Sequence, residues 1–198
     1  MKKGDAKRQA ILETAYRLFR DMGFDQTSMS EITAQVGGSK ATLYSHFASK
    51  EELFAECMTA AIDQCFENTL SSLDNARGDT ETVLRDFGVS FLRFVASSDM
   101  IAVRRLMISE SSRLGIGKLF LGKINALRDR IAVFLATGMD SGALRRDDPI
   151  LAANQLRGLL EAEIVEPLLL QEEPQPGDTE RTRSAQRAID AFLRAYAP

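Results

Sequence analysis

Residues 28–47 run Ser28-Met29-Ser30-Glu31-Ile32-Thr33-Ala34-Gln35-Val36, then Gly37-Gly38-Ser39, then Lys40-Ala41-Thr42-Leu43-Tyr44-Ser45-His46-Phe47. Ser28 and Glu31 have the spacing of a capping box, in which each side chain satisfies a backbone donor at a helix start. Gly37 supplies the left-handed residue of a tight turn, and Ser39 caps a second short helix, Lys40 to Phe47. Ile32, Val36, Leu43 and Phe47 give the two helices apolar inner faces. Lys40, Ala41, Thr42, Tyr44, Ser45 and His46 are left on the outside of the second. Two short helices crossing steeply over a glycine turn make a helix-turn-helix.

Outward from this stretch the pattern stays helical, and no segment alternates with period two. An earlier helix, about Lys7 to Met22, carries Ile11, Leu12, Ala15, Leu18 and Phe19 on one stripe and ends at Gly23, after which Phe24 folds back on the same core. Ser49-Lys50-Glu51-Glu52 opens a long helix to about Asn75. After the break Asn75 to Asp79, helices are expected over about Thr80–Ala96, Met100–Leu114, Lys118–Met139, Asp148–Leu170 and Glu180–Tyr196, with a Pro/Gly loop from Glu172 to Asp178. The fold class is all-α with about nine helices: an N-terminal three-helix unit joined by a long helix to a larger C-terminal bundle.

Hydrophobic residues are 44% of the 198 and charged residues 27%, the balance of a soluble globular chain. Nothing resembles a signal peptide, and no run reaches the roughly 18 apolar residues of a membrane span, so a cytoplasmic protein with no membrane association is expected. Cys57 and Cys65, eight residues apart on one helix, lie roughly 12 Å from each other, too far for a disulfide. With a single histidine in the chain, a Cys/His zinc site is not expected, and no metal or cofactor is. An enzyme is disfavoured: no nucleophile has a visible base, and Gly115-Ile116-Gly117-Lys118 is a weak phosphate loop.

The net charge of −3 does not suggest a nucleic-acid partner, but its distribution permits one. Residues 1–54 carry a net +1 and the rest −4, and Gly37 to Lys50 contains no acid. The second helix offers a cation, small side chains and hydroxyl or ring donors. Lysine reaches guanine edges in a DNA major groove, and alanine or threonine methyls meet thymine methyls. Thr27, Ser28 and Ser39, at helix N-termini, suit phosphates. Tyr44 has two readings, a base contact or a packing ring with its hydroxyl toward a phosphate; His46 either positions the helix or reads a base; Lys40 either contacts DNA or is solvated.

Gly23-Phe24, Thr27-Ser28, Ile32 with Gly37, and Thr42-Leu43-Tyr44-Ser45-His46-Phe47-Ala48-Ser49-Lys50-Glu51-Glu52-Leu53-Phe54 resemble the signature of the TetR family of regulators. The resemblance implies a DNA-binding domain, residues 1–54, in which Lys40, Ala41, Thr42, Tyr44 and His46 face DNA and Lys50 meets a phosphate. It also implies a ligand-binding and dimerisation domain, residues 55–198. Two positions depart from the pattern. Thr33 stands where the family usually has alanine, and Gly38 where it usually has an apolar turn residue, so a softer recognition unit is expected. The resemblance further implies a homodimer on a palindromic operator in double-stranded DNA, its interface built from the last two long helices. Leu156, Leu159, Leu160, Ile189, Phe192, Leu193 and Tyr196 are the candidates there, with the subunit core as their other use.

Phe87, Phe91 and Phe94 on one helix and Phe134 on another are candidates to line an apolar cavity, or are plain core. Arg104, Gln155 and Glu161 are polar candidates to orient a ligand, alongside Arg105, Glu110 and Arg157. Met107 lies in Arg105 to Glu110, a segment that, with Gly142-Ala143-Leu144 and Asp148-Pro149, is similar to AefR-like C-terminal domains. The expected function is a repressor released from its operator by a small apolar effector. An all-helical interaction protein without DNA binding is the alternative.

Overall fold

The structure is a computed structural model and describes residues 3–74, 78–112, 115–171 and 174–198. Ten helices and no strand are present among the described residues: α1 (Lys3–Gln26), α2 (Met29–Val36), α3 (Lys40–His46), α4 (Lys50–Asp74), α5 (Thr80–Val95), α6 (Ser98–Ser109), α7 (Ile116–Asp140), α8 (Pro149–Glu161), α9 (Val165–Leu170) and α10 (Asp178–Ala195). The all-α reading of the sequence holds, with one helix more than expected. The expected helix from Asp148 to Leu170 is two, α8 and α9. Pro167 is the physical reason: its ring excludes a helical carbonyl four residues back and it has no N–H to donate, so it fits only in the first turn of a new helix. α1 also runs past its expected end, but Gly23, at φ 80° and ψ 171°, breaks its geometry where the sequence places the stop. Parts of two expected loops, residues 75–77 and 172–173, lie outside the described residues, as does Leu114.

The chain forms two compact units, Met1–Asp63 with Ala102–Phe120 and Gln64–Ile101 with Leu121–Pro198. In the first, Ile11, Leu12, Ala15, Phe19, Ile32, Leu43, Phe47, Leu53 and Phe54 are buried. Phe24 folds back after Gly23 and stacks on Phe19 at 5.8 Å between ring centres. Cys57 is buried here, its thiol donating to the Phe54 carbonyl at 3.3 Å, and burial pushes its pKa well above the ordinary thiol value. The thiolate that a redox sensor needs is therefore disfavoured at Cys57; the side chain of Cys65 lies outside the described residues.

In the second unit α10 packs antiparallel on α5 and on α8, joined at its rim by Arg85–Asp190 at 2.7 Å and by Arg187 on Glu163. The Arg187 guanidinium holds the Glu163 carboxyl below its ordinary value. Asp79 caps α5, its carboxylate accepting from the Thr82 backbone N–H at 2.9 Å. Gly88 is where α5 meets both neighbours: a Cβ there would stand 3.0 Å from Ile189 Cγ1 and 3.2 Å from Leu160 Cδ2. Gly88→Leu should therefore destabilise the fold by about 1–3 kcal/mol through overpacking. Gly122→Ala, on a helical position with open space around it, should instead be neutral or stabilise by up to about 1 kcal/mol. Urea unfolding of the two variants checks the contrast; equal midpoints would mean that α5 does not need the close approach.

Candidate nucleic-acid interface

α2 and α3 are set by their caps. Ser28 Oγ accepts from the Glu31 N–H at 3.1 Å, and Ser39 Oγ accepts from the Thr42 N–H at 3.2 Å while pairing with the Thr42 hydroxyl at 3.0 Å. Between the helices Gly37 and Gly38 lie at φ 72° and 121°, conformations that favour glycine. Gly38 is thus required by its backbone angle, in addition to lacking a turn side chain. At the start of α4, Ser49 Oγ accepts from the Glu52 N–H at 3.0 Å, and the Glu52 carboxylate accepts from the Ala48 N–H at 2.7 Å, one residue further back than a standard capping box.

Leu43 and Phe47 are buried, which turns Lys40, Ala41, Tyr44 and Ser45 to solvent as one continuous face, with Thr42 and His46 half-buried at its edges. Tyr44 is 50% exposed. Ser45 Oγ donates to the Thr42 carbonyl at 2.7 Å. The face carries lysine, hydroxyls and small side chains and no acid in its first turn. Lys50 is folded over the Phe24 ring, its ammonium 4.3 Å from the ring centre, which draws the cation toward the α1–α2 junction. Thr27, expected at a phosphate, is 1% exposed and its hydroxyl donates to the Gly23 carbonyl at 2.8 Å. That side chain is committed to closing the turn after α1; Ser28 and Ser39 remain exposed.

Two residues escaped the sequence reading. Lys7 Nζ donates to the carbonyls of Val36 at 3.1 Å and Gly37 at 2.5 Å. Arg8 lies 5.0 Å over the Phe47 ring and pairs with Glu56. Nothing local marks either one, because their partners are 29 to 48 residues away.

The ligand candidates fall in both units. Phe87, Phe91 and Phe94 are buried in the second, with Phe87 and Phe91 5.6 Å apart and Phe94 edge-on to Phe66 at 5.2 Å. Phe134 lines an open groove of about 500 Å³ with Leu73, Thr80, Arg130, Val133 and Thr137. Gln155 Oε1 accepts from the Tyr196 hydroxyl at 2.7 Å, and Glu161 pairs with Arg157 at 3.3 Å. In the first unit Met107 is buried and Arg104 half-buried. Of the interface candidates, Leu156, Leu160, Ile189, Phe192 and Tyr196 are fully enclosed within the single chain. They serve the subunit core and have no area left for a second copy. Leu159 is 36% exposed and Leu193 half-buried.

Residues 11–57 match the model of bacterial regulatory proteins of the tetR family, and residues 82–198 match that of the AefR-like transcriptional repressor C-terminal domain. The chain is 32% identical over 101 residues to the HTH-type transcriptional regulator AcrR of Shigella flexneri, covering 51% of this chain and 46% of that protein. It is 30% identical over 86 residues to the HTH-type transcriptional repressor KstR2 of Mycolicibacterium smegmatis, covering 43% and 42%. The chain thus spans under half the length of these sequence relatives. Among solved structures, a putative TetR-family regulator of Mesorhizobium loti superposes over 100% of both chains with a TM-score of 0.93 and 25% identity. The flavonoid-responsive regulator FrrA superposes over 98% of both with a TM-score of 0.77 and 29% identity. Among the described residues no helix is long and apolar enough to cross a membrane, and no cluster of His, Cys, Asp and Glu is arranged to hold a metal.

Proposed function

The chain belongs to the tetR family of bacterial regulatory proteins, and from that premise we propose that it is a homodimeric repressor of transcription that binds a palindromic operator and leaves it when a small apolar effector binds. The observation that carries this reading is the exposed α3 face of Lys40, Ala41, Tyr44 and Ser45, held outward by buried Leu43 and Phe47. A face of that composition fits a major groove. By function the chain divides into residues 1–54, which meet DNA, and residues 55–198, which sense and dimerise. Two copies reading successive grooves need recognition helices about 34 Å apart, hence the palindrome.

The solvent side of α8 supports the dimer: Ile150, Leu151 and Leu159 are all more than a third exposed, and the glycine between them, Gly158, has open space around it. That side, with half-buried Leu193 on α10, is the part of the two helices left to meet a second copy. The groove lined by Phe134 supports a small, mainly apolar effector seated on Phe134 and Val133, with Arg130 and Thr137 at hand to orient it; the flavonoid response in FrrA's name is consistent with small-molecule control. A hundredfold release of DNA requires the effector to prefer the DNA-incompetent state by about 3 kcal/mol.

Selection of bound fragments from the source genome by the purified chain tests the reading. It should enrich a palindrome, and affinity for it should fall steeply between 50 and 200 mM salt, those concentrations being the usual window for phosphate neutralisation. Failure to enrich any palindrome would reject DNA recognition in favour of an all-helical interaction protein.

A further inference from the structure

α2 ends without a basic residue in its last turn, although the last carbonyls of a helix lack intrahelical partners and carry its negative dipole end. The missing cation comes from another helix. Lys7, on α1, donates from one ammonium to the carbonyls of Val36, the last residue of α2, and of Gly37, its cap. The same side chain lies where the absent turn side chain would make contact. A Cβ built at Gly38 would be 3.7 Å from Lys7 Nζ and 3.9 Å from Lys7 Cε, ordinary van der Waals distances. Lys7 also lines one small crevice with Thr33 and Val36 of α2 and with Thr42 and Leu43 of α3.

Resting on the DNA-binding reading above, we propose that Lys7 is a positioning residue for α3, clamping the Gly37-Gly38 turn from α1 and so setting the angle at which the recognition face is presented. The argument is one of degrees of freedom. Two consecutive glycines leave a turn with the widest backbone freedom of any pair, and Gly38 offers no side chain to the core. An ammonium bonded to the carbonyls on both sides of Gly37 fixes the first glycine and restricts the entry into the second. It also explains how the turn tolerates glycine at position 38, where a softer unit was expected. The assignment implies that the Lys7 charge is used inside the protein, not on a DNA phosphate.

The test compares wild type with Lys7→Met, which keeps the stem and removes the ammonium, and with Lys7→Arg, which retains a cation able to reach two carbonyls. In the free protein, hydrogen exchange at the amides of residues 37–47 should accelerate in Lys7→Met and return toward wild type in Lys7→Arg. On DNA, Lys7→Met should lose about tenfold in affinity for the selected palindrome, the scale of one charge-assisted hydrogen bond. Binding to random duplex and the slope of log affinity against log salt should stay unchanged. A slope reduced by about one per subunit would instead make Lys7 a phosphate contact and overturn the proposal. So would unchanged exchange in Lys7→Met. If the wild type binds no palindrome, the DNA reading fails on its own, and the exchange measurement still decides whether Lys7 holds the turn.

Discussion

Lys40→Ala and Tyr44→Ala should each weaken specific operator binding by about tenfold to a hundredfold per half-site, the scale of a lost base or well-placed backbone contact. In the proposed homodimer every substitution would be present twice, so the loss on a full palindrome should exceed that on one half-site. The fold should not suffer. Tyr44 is half exposed and Lys40 is exposed, and α3 is anchored from its other side by Leu43 and Phe47, so stability should move by less than about 0.5 kcal/mol. Gel-shift titrations and sedimentation of the same preparations separate the two effects. Tyr44→Phe distinguishes the two uses of that ring: a loss equal to that of Tyr44→Ala assigns the hydroxyl, and near wild-type binding assigns the ring. Full operator affinity in both alanine variants would remove α3 from the interface.

Phe54→Ala should be the most destabilising single change in the first unit, at about 3–5 kcal/mol. The Phe54 ring sits edge-on to Phe19 and to Phe24, with centres 5.2 Å apart in each case and interplanar angles of 85° and 83°. Phe54 is fully buried, so truncation removes two edge-to-face pairs and leaves a cavity that the three helix segments cannot close without moving. Against the roughly 5–15 kcal/mol of total stability usual for a domain, that is a large share. The loss should also reach the interface, since Phe24 supports Lys50 and follows the Gly23 break that Thr27 closes. Phe54→Leu, which keeps much of the volume, should cost less than half as much. Denaturant unfolding reports both; a cost under 1 kcal/mol for Phe54→Ala would mean that the aromatic trio is not the core of this unit.

Much of the α2–α3 arrangement was legible without coordinates. Ser28, Gly37 and Ser39 act within three or four residues of themselves, and the two serine caps and the glycine turn expected from them are observed, although of the Ser28–Glu31 capping box only the bond to the Ser28 hydroxyl is formed. The outward face of α3 follows from the 3.6-residue period once Leu43 and Phe47 are taken as inward. The break at Pro167 also has a local cause, since a proline in mid-helix removes a donor and clashes with the carbonyl four residues back, so it starts α9. The leucines and aromatics of α8 and α10 were harder. An amphipathic helix declares which residues are apolar and leaves open whether a given one meets its own chain or a second copy. Leu160 and Ile189 meet their own chain where α8 and α10 close on Gly88 of α5; Phe192 and Tyr196 stack on each other with the Tyr196 hydroxyl on Gln155, and Leu156 is buried within the same chain.

By itself, then, the sequence determined the helical class, the two glycine-joined helices and the residues of the exposed face, because caps, turns and helical period are encoded by neighbours along the chain. The tertiary structure alone decided that Thr27 turns its hydroxyl inward to Gly23 and that Lys50 lies over Phe24. It also decided that the glycine turn is held by Lys7 from 29 and 30 residues away. Those choices depend on where one helix lies against another, and a contact across such a distance leaves no periodic trace in either partner.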